Sequence, residues 1–97
     1  MLTAADVRTR TFRSSKFRQQ GYDVRQVDDF LDRVTEAFEY YETAGARGER
    51  MHSDEVRSMR FQTTTFRLGY QADAVDAFLA EVEQTLLGLE KAHATGQ

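Results

Sequence analysis

The stretch GYDVRQVDDFLDRV at residues 21–34 returns as GYQADAVDAFLAEV at residues 69–82, and this self-match decides how the chain is read. A shift of 48 pairs Gly21-Tyr22 with Gly69-Tyr70, Val27-Asp28 with Val75-Asp76, Phe30-Leu31 with Phe78-Leu79 and Val34 with Val82. Upstream the shift is 49, which pairs Val7-Arg8 with Val56-Arg57, Phe12 with Phe61 and Phe17-Arg18 with Phe66-Arg67. The one-residue deletion sets Gln19-Gln20 against Leu68, where a surface loop tolerates it. Two tandem copies therefore cover residues 1–42 and 52–91, with a glycine-containing linker at 43–51 and a tail at 92–97.

Each copy reads as short helix, loop, long helix. Thr3 and Asp6 form a capping box that opens a short helix to about Arg10. Phe12 to Gly21 has no sustained period. Asp23 and Gln26 form a second capping box for a helix to Glu42, with Val27, Phe30, Leu31, Val34, Phe38 and Tyr41 at spacings of three and four. Val75, Phe78, Leu79, Val82 and Leu86 repeat the stripe, and Gln71 in place of the capping Asp sets that helix to begin near Asp73. The expected class is all-α, with the two stripes facing each other in a helical pseudo-dimer or coiled-coil-like bundle. Gly21 and Gly69 read as turn residues ahead of the helices. Phe12, Phe61, Tyr22 and Tyr70 read as core pins.

The 97 residues suit one compact domain or two very small ones that lean on each other. No apolar run reaches the roughly 20 residues of a membrane-spanning helix. The start has no secretory pattern, and the chain has no cysteine for disulfides or thiolate zinc sites, so a cytoplasmic location is expected. His52 and His93 are isolated and lack metal-ligand spacing. No nucleophile-base pair or cofactor loop is evident, so no enzyme, cofactor, metal or small-molecule substrate is expected.

Charge is zoned along the chain. Residues 1–22 hold five cations, Arg8, Arg10, Arg13, Lys16 and Arg18, against Asp6 alone, whereas residues 23–42 hold seven acids against Arg25 and Arg33. The loop end reads as positive and the helix body as negative. Acidic long helices argue against entry into a nucleic-acid groove.

Phe17-Arg18, Gly21-Tyr22-Asp23 and Val27-Asp28-Asp29-Phe30-Leu31, with the opening Leu2-Thr3-Ala4-Ala5-Asp6-Val7 and Thr11-Phe12, resemble the amino-terminal domain of the DivIVA family of bacterial division-site and cell-pole proteins. The second copy resembles it more weakly. The resemblance implies a membrane-binding module in which a parallel dimer crosses its loops, a loop Phe inserts into the bilayer and the neighbouring Arg meets lipid phosphate. It assigns membrane contact to Phe17 and Arg18, with Lys16 and Arg13 beside them, and through the internal repeat to Phe66 and Arg67. It implies an anionic membrane surface as partner, peripheral attachment at the inner face of the cell membrane, and pairing with a second copy or a DivIVA-like protein. Two departures stand out: the 97 residues contain no long coiled coil after the module, and Gln19-Gln20 lengthens the first loop.

Tandem copies suggest a single-chain imitation of that dimer. Parallel, antiparallel and chain-swapped pairings of the long helices are all open. A helix from Asp23 to Glu42 is about 30 Å long and a ten-residue linker reaches about 33 Å, so a parallel pairing reads as taut. A soluble protein-interaction module working through the helix stripes is the alternative function.

Overall fold

A computed structural model describes residues 2–15, 20–42, 51–64 and 69–95, with the side chains of 93–95 excepted. In chain order it comprises α1 (Ala4–Thr9), β1 (Gly21–Tyr22), α2 (Val24–Glu42), α3 (Ser53–Ser58), β2 (Thr63–Thr64), β3 (Tyr70–Gln71) and α4 (Ala72–Thr95). Most described residues are helical, but the all-α expectation is incomplete. The three two-residue strands form an antiparallel sheet in the order β2-β1-β3. Strands this short carry no legible period of two, and their partners lie more than 40 residues away.

Local signals place the first helices. Thr3 accepts from the Asp6 N–H at 3.2 Å while Asp6 accepts from the Thr3 N–H at 2.9 Å, closing the expected capping box. At α2 only half of the second box forms. Asp23 accepts from the Gln26 N–H at 3.0 Å, but the Gln26 side chain accepts from the Gln62 N–H at 2.7 Å, and the Asp23 N–H donates to the Gln62 carbonyl at 2.9 Å. The reciprocal arm is spent on a segment 36 residues away. Helix α4 starts at Ala72 directly from β3, next to the expected start near Asp73, and the Gln71 N–H just before it donates to the Arg13 carbonyl at 2.9 Å. It also runs past Lys91 to Thr95.

The short helices pack on the long ones, α1 on α2 and α3 on α4. Glu42 accepts from the Ala4 N–H at 2.7 Å, and Glu90 accepts from the Ser53 N–H at 2.7 Å and its hydroxyl at 2.9 Å. Each short helix thus begins beside the far end of a long one. Both long helices leave the sheet at their N-termini, and at 1.5 Å per residue they are about 28 and 36 Å long. Pointing away from each other they would exceed roughly 60 Å, yet the molecule measures 50 × 19 × 18 Å. They therefore run side by side in one direction. The described residues on either side of the linker, Glu42 and Met51, both lie toward the far end of the helix pair, so a parallel pairing does not call for the taut span expected from the sequence.

The core between the helices holds Val27, Phe30, Leu31, Val34, Phe38 and Tyr41 of α2 and Val75, Phe78, Leu79, Val82 and Leu86 of α4, with Met51, Val7 and Val56 from the flanking segments. Phe12 and Phe61 pack against it half-buried.

The glycines are not turn residues. Neither has the left-handed backbone that would require glycine. A Cβ on Gly21 would lie 2.5 Å from the Ser15 hydroxyl and 2.9 Å from the Tyr70 carbonyl, and one on Gly69 would lie 2.6 Å from the Tyr22 carbonyl. Close approach of the crossing backbones is what excludes a side chain. Gly21→Ala and Gly69→Ala are each expected to destabilise the protein by about 2 kcal/mol, in the range of overpacked sites. Urea unfolding of the two variants checks this, and wild-type midpoints would refute it.

Candidate functional site

The sheet forms where the two loop segments cross. Ser15 donates from its N–H to the Gly69 carbonyl at 2.6 Å, and its hydroxyl accepts from the Gly69 N–H at 3.1 Å. Ser14 bridges to Tyr70, Gly21 aligns with Thr64, and Tyr22 aligns with both Thr63 and Tyr70. Ser15 is buried, an unusual position for a loop serine, because its backbone and side chain both serve the crossing.

Above the sheet lie two aromatic sets. Phe12 stacks on Tyr70 at 5.4 Å and on Phe78 at 5.7 Å between ring centroids, and Phe61 stacks on Tyr22 at 5.3 Å and on Phe30 at 5.7 Å. Tilted and edge-on pairs at these separations add to simple burial. The tyrosines then reach across: Tyr22 donates to Asp76 at 2.7 Å and Tyr70 donates to Asp28 at 2.8 Å. Each phenol is latched to the long helix that follows the other loop.

The latches shift the phenols. The Asp76 hydrogen bond, then burial, raises Tyr22 above its ordinary value of 10.0, while burial and then the Asp28 hydrogen bond push Tyr70 up to about 12. A carboxylate beside a phenol favours the protonated form, which donates to it.

The expected membrane-contact residues divide. Lys16, Phe17, Arg18, Phe66 and Arg67 lie outside the described residues. Arg13 is exposed, and its carbonyl is held by Gln71 at the crossing. The chain on both sides of each Phe-Arg segment is described, however. Ser15 and Gly21 flank one, Thr64 and Gly69 flank the other, and all four meet in the crossing. The ten expected helix-interface residues, Val27, Phe30, Leu31, Val34, Phe38, Val75, Phe78, Leu79, Val82 and Leu86, are all buried within the chain.

The simple charge zoning is corrected. Because α1 lies along the far half of α2, Arg8 pairs with Glu39 and sits away from the loops. Arg57 pairs with Glu83 at 3.2 Å and with Asp54 at 2.8 Å, and Arg33 pairs with Glu55 at 2.9 Å. Arg10 lies over the Phe78 ring, 4.4 Å from its centroid. Counting along the chain assigned Arg8 to the loop end, whereas folding places it beside the far part of α2; Arg10 stays near the crossing, over the ring that Phe12 also meets.

Sequence reading passed over Ser15, Asp28 and Asp76 as parts of the crossing and took the tyrosines as plain core residues. A signal existed for the latches, since Gly-Tyr and Val-Asp recur at one spacing in both copies. Ser15 gave none. Among the described residues no cluster of His, Asp or Glu is arranged to hold a metal ion, and no helix is long and apolar enough to cross a membrane. Compared with known proteins, the chain matches no family model, no curated protein and no solved structure.

Because both phenol pKa values are raised, the stability they contribute is complete below about pH 10 and is lost as pH rises through about 10 to 12. Replacing both tyrosines, Tyr22→Phe and Tyr70→Phe, should cost about 1 kcal/mol per latch at neutral pH and flatten the decline in that alkaline window. Chemical denaturation at neutral pH and at two points inside the alkaline window distinguishes this outcome from an unchanged pH slope.

Proposed function

We propose that the chain is a non-enzymatic membrane-associated adaptor of the DivIVA kind. Its tandem copies, residues 1–42 and 52–91, make within one chain the crossed pair for which that family uses two. The observation that carries this reading is the common root of the two Phe-Arg segments. Ser15 and Gly69 exchange backbone and side-chain hydrogen bonds while Gly21 aligns with Thr64, so both segments depart from one sheet at one end of the helix pair.

Matched contacts support the pseudo-dimer. Tyr22 to Asp76 has its counterpart in Tyr70 to Asp28, Phe12 to Phe78 in Phe61 to Phe30, and Glu42 to Ala4 in Glu90 to Ser53. Each pair relates positions aligned by the shifts of 48 and 49. The alternative, a soluble module recognising partners through its helix stripes, is opposed by burial, since those stripes are already covered by each other.

A shared root turns two weak contacts into one site. One phenylalanine ring contributes roughly 1.5 to 3 kcal/mol when fully buried, and each cation near an anionic leaflet about 1 kcal/mol. Linking the two gives them a high effective concentration for each other. The site works at the inner face of the membrane, with Arg13, Lys16, Arg18 and Arg67 supplying the cations.

Co-sedimentation with anionic vesicles should pellet the wild type, with zwitterionic vesicles pelleting far less. The Phe17→Ala, Phe66→Ala double variant should bind about a hundredfold more weakly, roughly tenfold per ring. Equal binding of variant and wild type, or none by the wild type, would overturn the reading.

A further inference from the structure

The two halves close differently where their short helices begin. Just before α3, Met51 is 1% exposed, and Glu55 of α3 accepts from Arg33 of α2 at 2.9 Å. The aligned positions in the other half are Leu2 for Met51, Asp6 of α1 for Glu55 and Glu81 of α4 for Arg33. Leu2 is only half-buried. Two acids thus hold the positions that an ion pair holds in the other half.

Between Leu2 and α4 lies a groove of about 480 Å³, lined by Leu2, Ala80, Glu81, Gln84 and Thr85. Thr85 stands where α2 has the fully buried Ala37 and is itself only 8% exposed. Its hydroxyl has no hydrogen-bond partner among the described residues. No described side-chain nitrogen or oxygen is both sealed from solvent and unsatisfied, so this hydroxyl opens into the groove. A hydroxyl set this deep costs stability until something bonds to it. The setting is acidic as well. The carboxylates of Asp6 and Glu42 accept from the Thr3 and Ala4 N–H groups, close to Leu2, while Glu81 has no partner among the described residues. Asp73 adds an exposed acid two turns up the same face of α4. The cations nearby are engaged elsewhere, Arg8 with Glu39, Arg10 over the Phe78 ring and Lys91 with another group of the chain.

We propose that this groove binds an arginine carried on an extended peptide segment of a partner protein. The guanidinium meets the Glu81 carboxylate and the Thr85 hydroxyl, and its aliphatic stem lies along Leu2 and Ala80. Charge selects the occupant, since the groove lacks the cation that Arg33 supplies in the other half. A planar guanidinium donates to a carboxylate and a hydroxyl at once, and its stem covers apolar wall as an ammonium held by one point cannot. A groove of this volume is larger than one side chain, so residues flanking the arginine enter it too, and its size is at the small end of ligand sites. Ala80 and Thr85 lie about 12 and 20 Å along α4 from its start at the sheet. The site therefore uses neither Phe-Arg segment and stands apart from the membrane reading.

Amide chemical-shift mapping of the full chain with an end-blocked Gly-Leu-Arg-Ala-Gly peptide tests this. The peptide should shift the amides of Leu2, Ala80, Glu81, Gln84 and Thr85 with a Kd of about 1 mM or below. The same peptide with citrulline for arginine, alike in shape but uncharged, should bind about tenfold more weakly. Thr85→Ala, which installs the residue of the other half, should weaken binding about fivefold. Glu81→Arg should abolish binding while helicity by circular dichroism stays at the wild-type level, because the new arginine takes the place of Arg33 and Asp6 that of Glu55. No shifts at the groove, citrulline and arginine peptides binding equally, or wild-type affinity in the Glu81→Arg variant would overturn the proposal. Arginine amide alone binding as tightly as the peptide would overturn the peptide as occupant.

Discussion

The rest of the structure depends on the close crossing of two backbones at Gly21 and Gly69. At each glycine the opposing carbonyl comes within 3 Å of where a Cβ would sit, so the segments can exchange hydrogen bonds only if both positions lack a side chain. Two-residue strands have no independent stability. They persist here because Phe12 and Phe61 roof the crossing and the tyrosine latches fasten each loop to the opposite helix. The crossing in turn fixes the helices. Both segments enter their long helix straight from the sheet, so α2 and α4 start at one level and run in one direction, which brings their apolar stripes into register.

This arrangement also governs the charges. An extended return from the sheet carries each short helix to the far end of a long one, where Glu42 and Glu90 receive its first N–H groups. A carboxylate at a helix N-terminus meets both unsatisfied donors and a favourable dipole. Arg8 and Arg57 are then carried alongside the helix bodies and neutralise acids there. Cations near the loops in the sequence are therefore divided between a structural role along the helices and a position at the crossing, where Arg13 remains.

The helices were readable because their signals are local. The stripe from Val27 to Tyr41 and the Thr3-Asp6 box are each set by residues within a few positions of one another, and the self-match gave the second set from the first. The strands were not readable, since two residues contain no period and hydrogen-bond to partners some 40 to 50 positions away. Gln26 shows the same limit within one side chain: its spacing from Asp23 identifies a capping box, but Gln62, distant in sequence, takes its oxygen. Of the candidate site, the repeated Phe-Arg motif is a feature of the sequence alone, since its residues lie outside the described ones. What stayed hidden was the common origin of both motifs in one sheet, which follows from a crossing that no local pattern encodes.

The two halves agree more closely at the crossing and along the first turns of the helix seam than on their outer faces, and the reason is physical. A position at the crossing or in the helix seam is constrained by its counterpart in the other half, so Tyr22 and Tyr70, Asp28 and Asp76, and Phe30 and Phe78 keep one chemistry. An outward position has no such counterpart. Where α2 presents Asp29, Asp32 and Glu36, mutual repulsion keeps that face in water and resists association. Where α4 presents Ala77, Ala80 and Gln84, uncharged side chains stand between the exposed acids Asp73 and Glu81. The same backbone thus carries two outer faces of different charge, a difference that a symmetric pair of identical chains could not have.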